Sequence, residues 1–169
     1  MGIHVRGPVR GTGHKRFVDV NFSIVIPSTE AAEHPQIKKF VDLVDSTVGD
    51  GALTFSDTQS RPFMKYWKNL VINKHIVDKN DFLCTFLGTD LVETYGADHT
   101  GKLVSERGTI EVQQYLMRLN FAALNNTGPI YASGKVFWGN KHYKIWHQAR
   151  MALKHGSTKD GTLGFIVFE

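Results

Sequence analysis

Eight histidines and one cysteine are the side chains of this chain best suited to chemistry, and their spacing narrows what that chemistry can be. A metal ion needs several ligands converging on one point. His4, His14, His34, His75, His99, His142, His147 and His155 include no His-Glu-x-x-His pair and no compact carboxylate cluster. His142 and His147 lie five apart on one strand and so face opposite sides. They are read as surface or hydrogen-bonded histidines, with no metal. The lone Cys84 excludes an internal disulfide and a multi-cysteine zinc site. It shares an apolar strand face with Phe82 and Phe86, where a cysteine behaves as a small hydrophobe rather than a reactive thiol. Gly11-Thr12-Gly13 precedes the first strand instead of joining a strand to a helix, and no Gly-Lys-Ser/Thr follows, so it is no phosphate loop.

His147 is the position with most to offer. On the strand from His142 to Leu153, alternation places Tyr143, Ile145, His147, Ala149 and Met151 on one face, opposite Lys144, Trp146, Gln148 and Arg150. If the first set faces the helices, His147 is a polar group in an apolar cavity. It is then either a core histidine bonded to a backbone carbonyl or a tyrosine such as Tyr115, or a group that orients a ligand. The candidate pocket comprises Phe82, Cys84, Phe86, Tyr95, Tyr115, Leu119, Tyr143, Ile145 and His147. No catalytic residue is assigned. The enzyme alternative is an isomerase-like pocket with His147 as base and Tyr115 or Tyr143 as acid, and it lacks an inward-facing carboxylate.

The elements that must hold these residues follow from periodicity. Phe17 to Ile26 alternates as a half-buried strand closed by Pro27. Ile37, Phe40, Val41, Val44 and Val48 mark an amphipathic helix between Pro35 and Gly49. Leu70 to Val77 and Phe82 to Leu87 read as a hairpin, Thr89 to Tyr95 as a short helix and Thr109 to Asn126 as the strongest helix. Three strands complete the chain, Ile130 to Trp138, His142 to Leu153 and Thr162 to Phe168. Strands, a helical middle and strands again predict an α+β antiparallel arrangement rather than βαβ repeats.

Length and charge set the frame. The 169 residues suit one core, and 41% hydrophobic content predicts a folded globular chain. The formal charge is +4, but Arg6, Arg10, Lys15 and Arg16, four of the 20 basic residues, precede the first acidic one, Asp19. Beyond them, 16 basic residues meet 16 acidic ones, so the positive charge belongs to a glycine-rich tail. Tyr66, Trp67, Trp138 and Trp146 mingle with Lys65, Lys68, Lys135, Lys141 and Lys144, a mixture used for single-stranded nucleic acid. Balanced charge favours instead aromatic rings on an outer sheet face with lysine stems across them, and no nucleic acid is expected. No secretory signal or membrane-spanning run is read, and the expectation is a cytoplasmic protein without membrane contact.

The stretch Phe82 to Leu103, a strand followed by Gly88-Thr89, a short helix, Gly96 and Thr100-Gly101, resembles the PAS-fold family common in alphaproteobacteria. Pro35 to Val48 is similar to that family's leading helix, Pro62 to Val77 to its entry into the first strand, and Thr127-Gly128-Pro129-Ile130 to its turn into the third. The resemblance covers residues 34 to 169 and leaves 1 to 33 as a basic flexible tail and extra N-terminal strand. It implies a five-stranded antiparallel sheet in spatial order 2-1-5-4-3, with helices on one face around a small cavity, here with an extra N-terminal helix and strand. Leu163 to Phe168 then runs through the sheet centre, and its apolar residues need cover on both faces. The N-terminal strand is the candidate cover, in its own chain or across a homodimer.

The resemblance implies a non-enzymatic sensory or regulatory domain that binds a small apolar or amphipathic ligand and signals through dimerisation or a partner protein. A ligand-free dimerisation module is the third reading. In PAS sensors haem commonly uses a histidine of the long helix, and flavin photochemistry a cysteine in Asn-Cys-Arg. Thr109 to Asn126 has no histidine and Cys84 sits mid-strand, so neither cofactor is expected.

Overall fold

A computed structural model describes residues 4–9, 16–21, 28–136 and 144–169, the first two segments as backbone alone. Residues 22–26 of the expected N-terminal strand, Trp138, His142 and Tyr143 lie outside the described residues.

Two antiparallel strands, β1 (His4–Val9) and β2 (Arg16–Asn21), form a hairpin sheet of their own. The sequence alone predicts one strand here, after a tail. Ser28 caps helix α1 (Thr29–Glu33), its hydroxyl accepting from the Ala31 N–H at 3.1 Å. His34 caps α2 (Pro35–Val48), its Nδ1 accepting from Gln36 N–H, and Gly49 ends that helix at φ 56°. After β3 (Leu53–Thr54), Thr54 and Asp57 form a reciprocal capping box that opens α3 (Phe55–Thr58), followed by α4 (Arg61–Met64). The hairpin β4 (Leu70–Ile76) and β5 (Asp81–Leu87) turns through Asn80 in the left-handed region at φ 48°. Gly88 then packs so tightly on the backbone of Trp67 and Lys68 that an added Cβ would lie 2.3 Å from both carbonyl oxygens. Helices α5 (Thr89–Tyr95) and α6 (Ile110–Leu124) precede β6 (Ile130–Lys135), β7 (Ile145–His155) and β8 (Thr158–Phe168).

β8 lies between β7 and β4, β5 pairs with β4, and both β6 and β3 pair with β7. The sheet therefore has six strands and is mixed, not five strictly antiparallel ones, because β3 runs parallel to β7. β6 covers the β7 edge only from Ile145 to Arg150, and Leu53 and Thr54 pair beyond it with Leu153 and Lys154.

Helices cover both faces of the sheet, where the expectation was one. Leu163, Phe165 and Val167 of β8 and Ala149, Met151 and Leu153 of β7 pack with Ile37, Phe40 and Val44 of α2. Phe40 stacks on Phe165 with ring centroids 4.6 Å apart. Helices α1 and α2 thus supply cover for the apolar run of β8. Ala31 of α1 is fully buried in this cluster. On the opposite face Val71, Cys84, Leu119, Trp146 and Ile166 form a second cluster under α5 and α6.

Candidate functional site

The second face carries the chemistry. Between α6, the loop after α5 and the strands β4, β7 and β8 lies a cavity of about 230 Å³, roughly the share of eight liquid waters. Val71, Val112, Leu116, Ile166 and Phe168 supply its apolar wall. Polar side chains come from every surrounding element: Asn73 from β4, Tyr95 from α5, His99 and Arg107 from the connecting loop, Tyr115 from α6, and Trp146, Gln148 and Arg150 from β7.

Arg150 is 2% exposed, in the middle of the sheet. Its Nη1 donates to Asn120 Oδ1 at 2.7 Å and its Nε to Gln148 Oε1 at 3.1 Å. Asn120 Oδ1 also accepts from Thr162 Oγ1 at 2.5 Å and from Asn73 Nδ2 at 3.3 Å, while Asn120 Nδ2 donates to the Leu116 carbonyl. One amide oxygen therefore gathers donors from β4, β7 and β8 and ties α6 to the sheet. Gly164 makes room for the guanidinium, since a Cβ there would lie 2.9 Å from Arg150 Nη2. Burial, opposed by the two tyrosines and aided by Arg107, holds the Arg150 pKa down to about 10, so the group is a cation at neutral pH.

Arg107 is 5% exposed. It follows a 3₁₀ turn over Val104–Glu106, in which Glu106 Oε2 accepts from the Leu103 N–H. Its Nη2 reaches Asn73 Oδ1 at 3.5 Å, and its Nε has no hydrogen-bond partner among the described residues. Neither guanidinium has a carboxylate within ion-pair distance among those residues. Two further buried atoms of the lining, His99 Nδ1 and Trp146 Nε1, are also without a partner there. Burial, with Arg107 and Lys102 nearby, pushes the His99 pKa down and favours the neutral ring. Burial likewise pushes the Tyr95 and Tyr115 hydroxyls and the Cys84 thiol up, which keeps all three neutral.

Of the nine sequence-derived pocket positions, Tyr95 and Tyr115 line this cavity. Cys84 and Leu119 lie in the apolar cluster around it, and Phe82 packs in a neighbouring one with Val104 and Met117. Phe86 belongs to the other side of the sheet. β5 carries one extra residue, Thr85, between the pairs Ile72–Phe86 and Asn73–Cys84, and this bulge reverses the alternation. Ile145 is exposed and Tyr143 is outside the described residues.

His147 is buried on the α2 face, away from the cavity. The even-numbered set of β7, Trp146, Gln148 and Arg150, takes the place expected of the odd-numbered one. Trp146 is accordingly buried beside the cavity, not spread on an outer face. His147 Nδ1 lies 2.6 Å from Ser133 Oγ and its Nε2 lies 3.5 Å from Glu169 Oε2. Ser133 Oγ is also 2.7 Å from Ser28 Oγ, and His34 Nε2 is 3.1 Å from Glu169 Oε1. The order Ser133–His147–Glu169 has the connectivity of a hydrolytic triad. Ser28 and His34 occupy its two ends, however, and neither Ser133 nor His147 lines any of the four best-formed cavities described for these residues. Its evident work is to fasten the segment leading into α1 and α2 onto β6 and β7.

Lys65 lies over Tyr66 at 5.0 Å and Lys144 over Phe168 at 5.9 Å, while Lys68 pairs with Asp90 at 3.1 Å. Among the described residues no group of three or more metal-ligating side chains converges, and no helix is long and apolar enough to cross a membrane. Comparison with protein-family models, curated proteins and solved structures finds no match to this chain.

Proposed function

We propose that this chain is a PAS-like, non-enzymatic ligand-binding domain of the sensory type, taking a small amphipathic molecule into the cavity between α6 and the sheet. The observation that carries the reading is the cavity itself: an apolar wall with buried polar atoms of Arg107, His99 and Trp146 that lack partners among the described residues. Buried polar groups are normally satisfied, so such a set marks a space shaped for an occupant. The order β5, β4, β8, β7, β6 supports the PAS-like reading, because the five long strands run as 2-1-5-4-3 with β3 as an addition. In this reading the output passes through a homodimer or a partner protein, and occupancy shifts that association only as far as the ligand prefers one state.

Native mass spectrometry of the purified full chain tests this. A retained small molecule that disappears when Val112→Trp fills the cavity is the expected result. A chain that is empty, and gains no thermal stability from any compound of a fragment set, would sink the reading and leave the ligand-free dimerisation module in its place.

A further inference from the structure

The sign of the cavity identifies the class of occupant, given the ligand-binding reading above on which this step rests. The described lining holds two buried guanidiniums and no carboxylate. Its tyrosines and the adjacent cysteine remain neutral, and Asp98, the carboxylate that acts on His99 and Cys84, lies outside the described lining. A buried charge without a counter-charge is costly, because its lost hydration is not repaid. Arg150 spends Nε and Nη1 on Gln148 and Asn120, which makes it a fixed positive charge within the sheet. Arg107 has a long bond to Asn73 and a contact to the Cys84 thiol, and its Nε has no partner among the described residues, so part of its fork remains available. The indole N–H of Trp146 can only donate, and it is also unpaired. The described lining has no acceptor carrying negative charge, while Val71, Val112, Leu116 and Ile166 ask for an apolar body.

We propose that the cavity binds a small organic carboxylate with a compact apolar body, its carboxylate held by the Arg107 fork within the field of Arg150 and its apolar part against Val112, Leu116 and Ile166. A planar two-oxygen anion suits a guanidinium fork, and a cavity of this volume leaves room for little more than a ring or a short branched chain.

The test uses acid and amide pairs on the full chain at matched ionic strength: acetate with acetamide, benzoate with benzamide, and phenylacetate with phenylacetamide. Thermal midpoint and Trp fluorescence are read, because Trp146 lines the site. The acids are expected to raise the midpoint and the amides to have little effect. Arg107→Met, which removes an unpaired buried charge, should stay folded and weaken benzoate about tenfold or more. Arg107→Lys keeps the charge without the fork and should fall between. Equal behaviour of acids and amides in every pair overturns the proposal. If a retained adduct is nevertheless found by mass spectrometry, the ligand-binding reading survives that failure; if the chain is also empty, both fall. Phenyl phosphate binding more tightly than benzoate would overturn the carboxylate head.

Discussion

The two faces of the central sheet are built from the same strands and do opposite work. Against α2, the side chains of β7 and β8 are apolar over most of their length and pack ring on ring, with Phe40 between Phe63, Tyr66 and Phe165. Against α6, the next residues along the same strands include Gln148, Arg150 and Thr162, with a cavity beside them. One face draws its stability from burial and requires no partner molecule. The other buries two cations and holds donors that have no partner among the described residues. A sheet that is secure on one side can tolerate a costly, unfinished site on the other.

The sharpest way to break this comparison is to damage each face in turn and read stability and ligand retention separately. Phe40→Ala should cost about 4 kcal/mol in urea unfolding, while any retained adduct stays bound to the folded fraction. Loss of the adduct at unchanged stability would reverse the assignment of the two faces. Asn120→Leu keeps volume but strands Arg150 Nη1, Thr162 Oγ1 and Asn73 Nδ2, and should cost about 3 kcal/mol together with the adduct. Gly164→Ala drives a methyl against Arg150 Nη2 and Val71. About 2 kcal/mol of overpacking is expected, with a weaker response to benzoate than in the unaltered chain.

The smallest effect is a pH dependence. The His99 pKa is lowered in the folded chain, so between the ordinary value of 6.5 and the folded one the unfolded state binds more protons. Its contribution is fully present above pH 6.5 and is lost as pH falls through the folded pKa. Urea midpoints at pH 7.5 and 5.5 should therefore differ less in His99→Asn than in the unaltered chain, whereas Phe40→Leu should leave that difference alone. Identical slopes in the two histidine forms would remove His99 from the electrostatics of the cavity.

Much of this architecture was legible in the amino-acid order. The periodicity of Ile37, Phe40, Val41 and Val44 marks α2, Gly128-Pro129 signals the stop of α6, which ends at Leu124, and the near-continuous apolar run of β8 announces a strand covered on both sides. The cavity was less so. Asn120 lies among apolar neighbours on α6, yet its one-to-three bonding shows only when three strands are assembled beneath it. Arg107 looks like any basic loop residue until the 3₁₀ turn before it places it among the lining residues. Arg150 carried a signal that could have been used: a cation in a strand with Met151, Ala152 and Leu153 beside it is a candidate for burial.

Alternation along β7 correctly sorts its residues into two sets, because successive side chains of a strand point to opposite sides. Period two cannot say which helix covers which set, and here it is Trp146, Gln148 and Arg150 that meet the cavity while His147 meets α1 and α2. Nor does it survive the extra residue at Thr85, which sends Phe86 to the side opposite Cys84. Local order thus specified the elements and the residues that travel together. Long-range packing assigned the covers, since the burial of one face depends on segments more than a hundred residues away, as Ser28 on Ser133 shows.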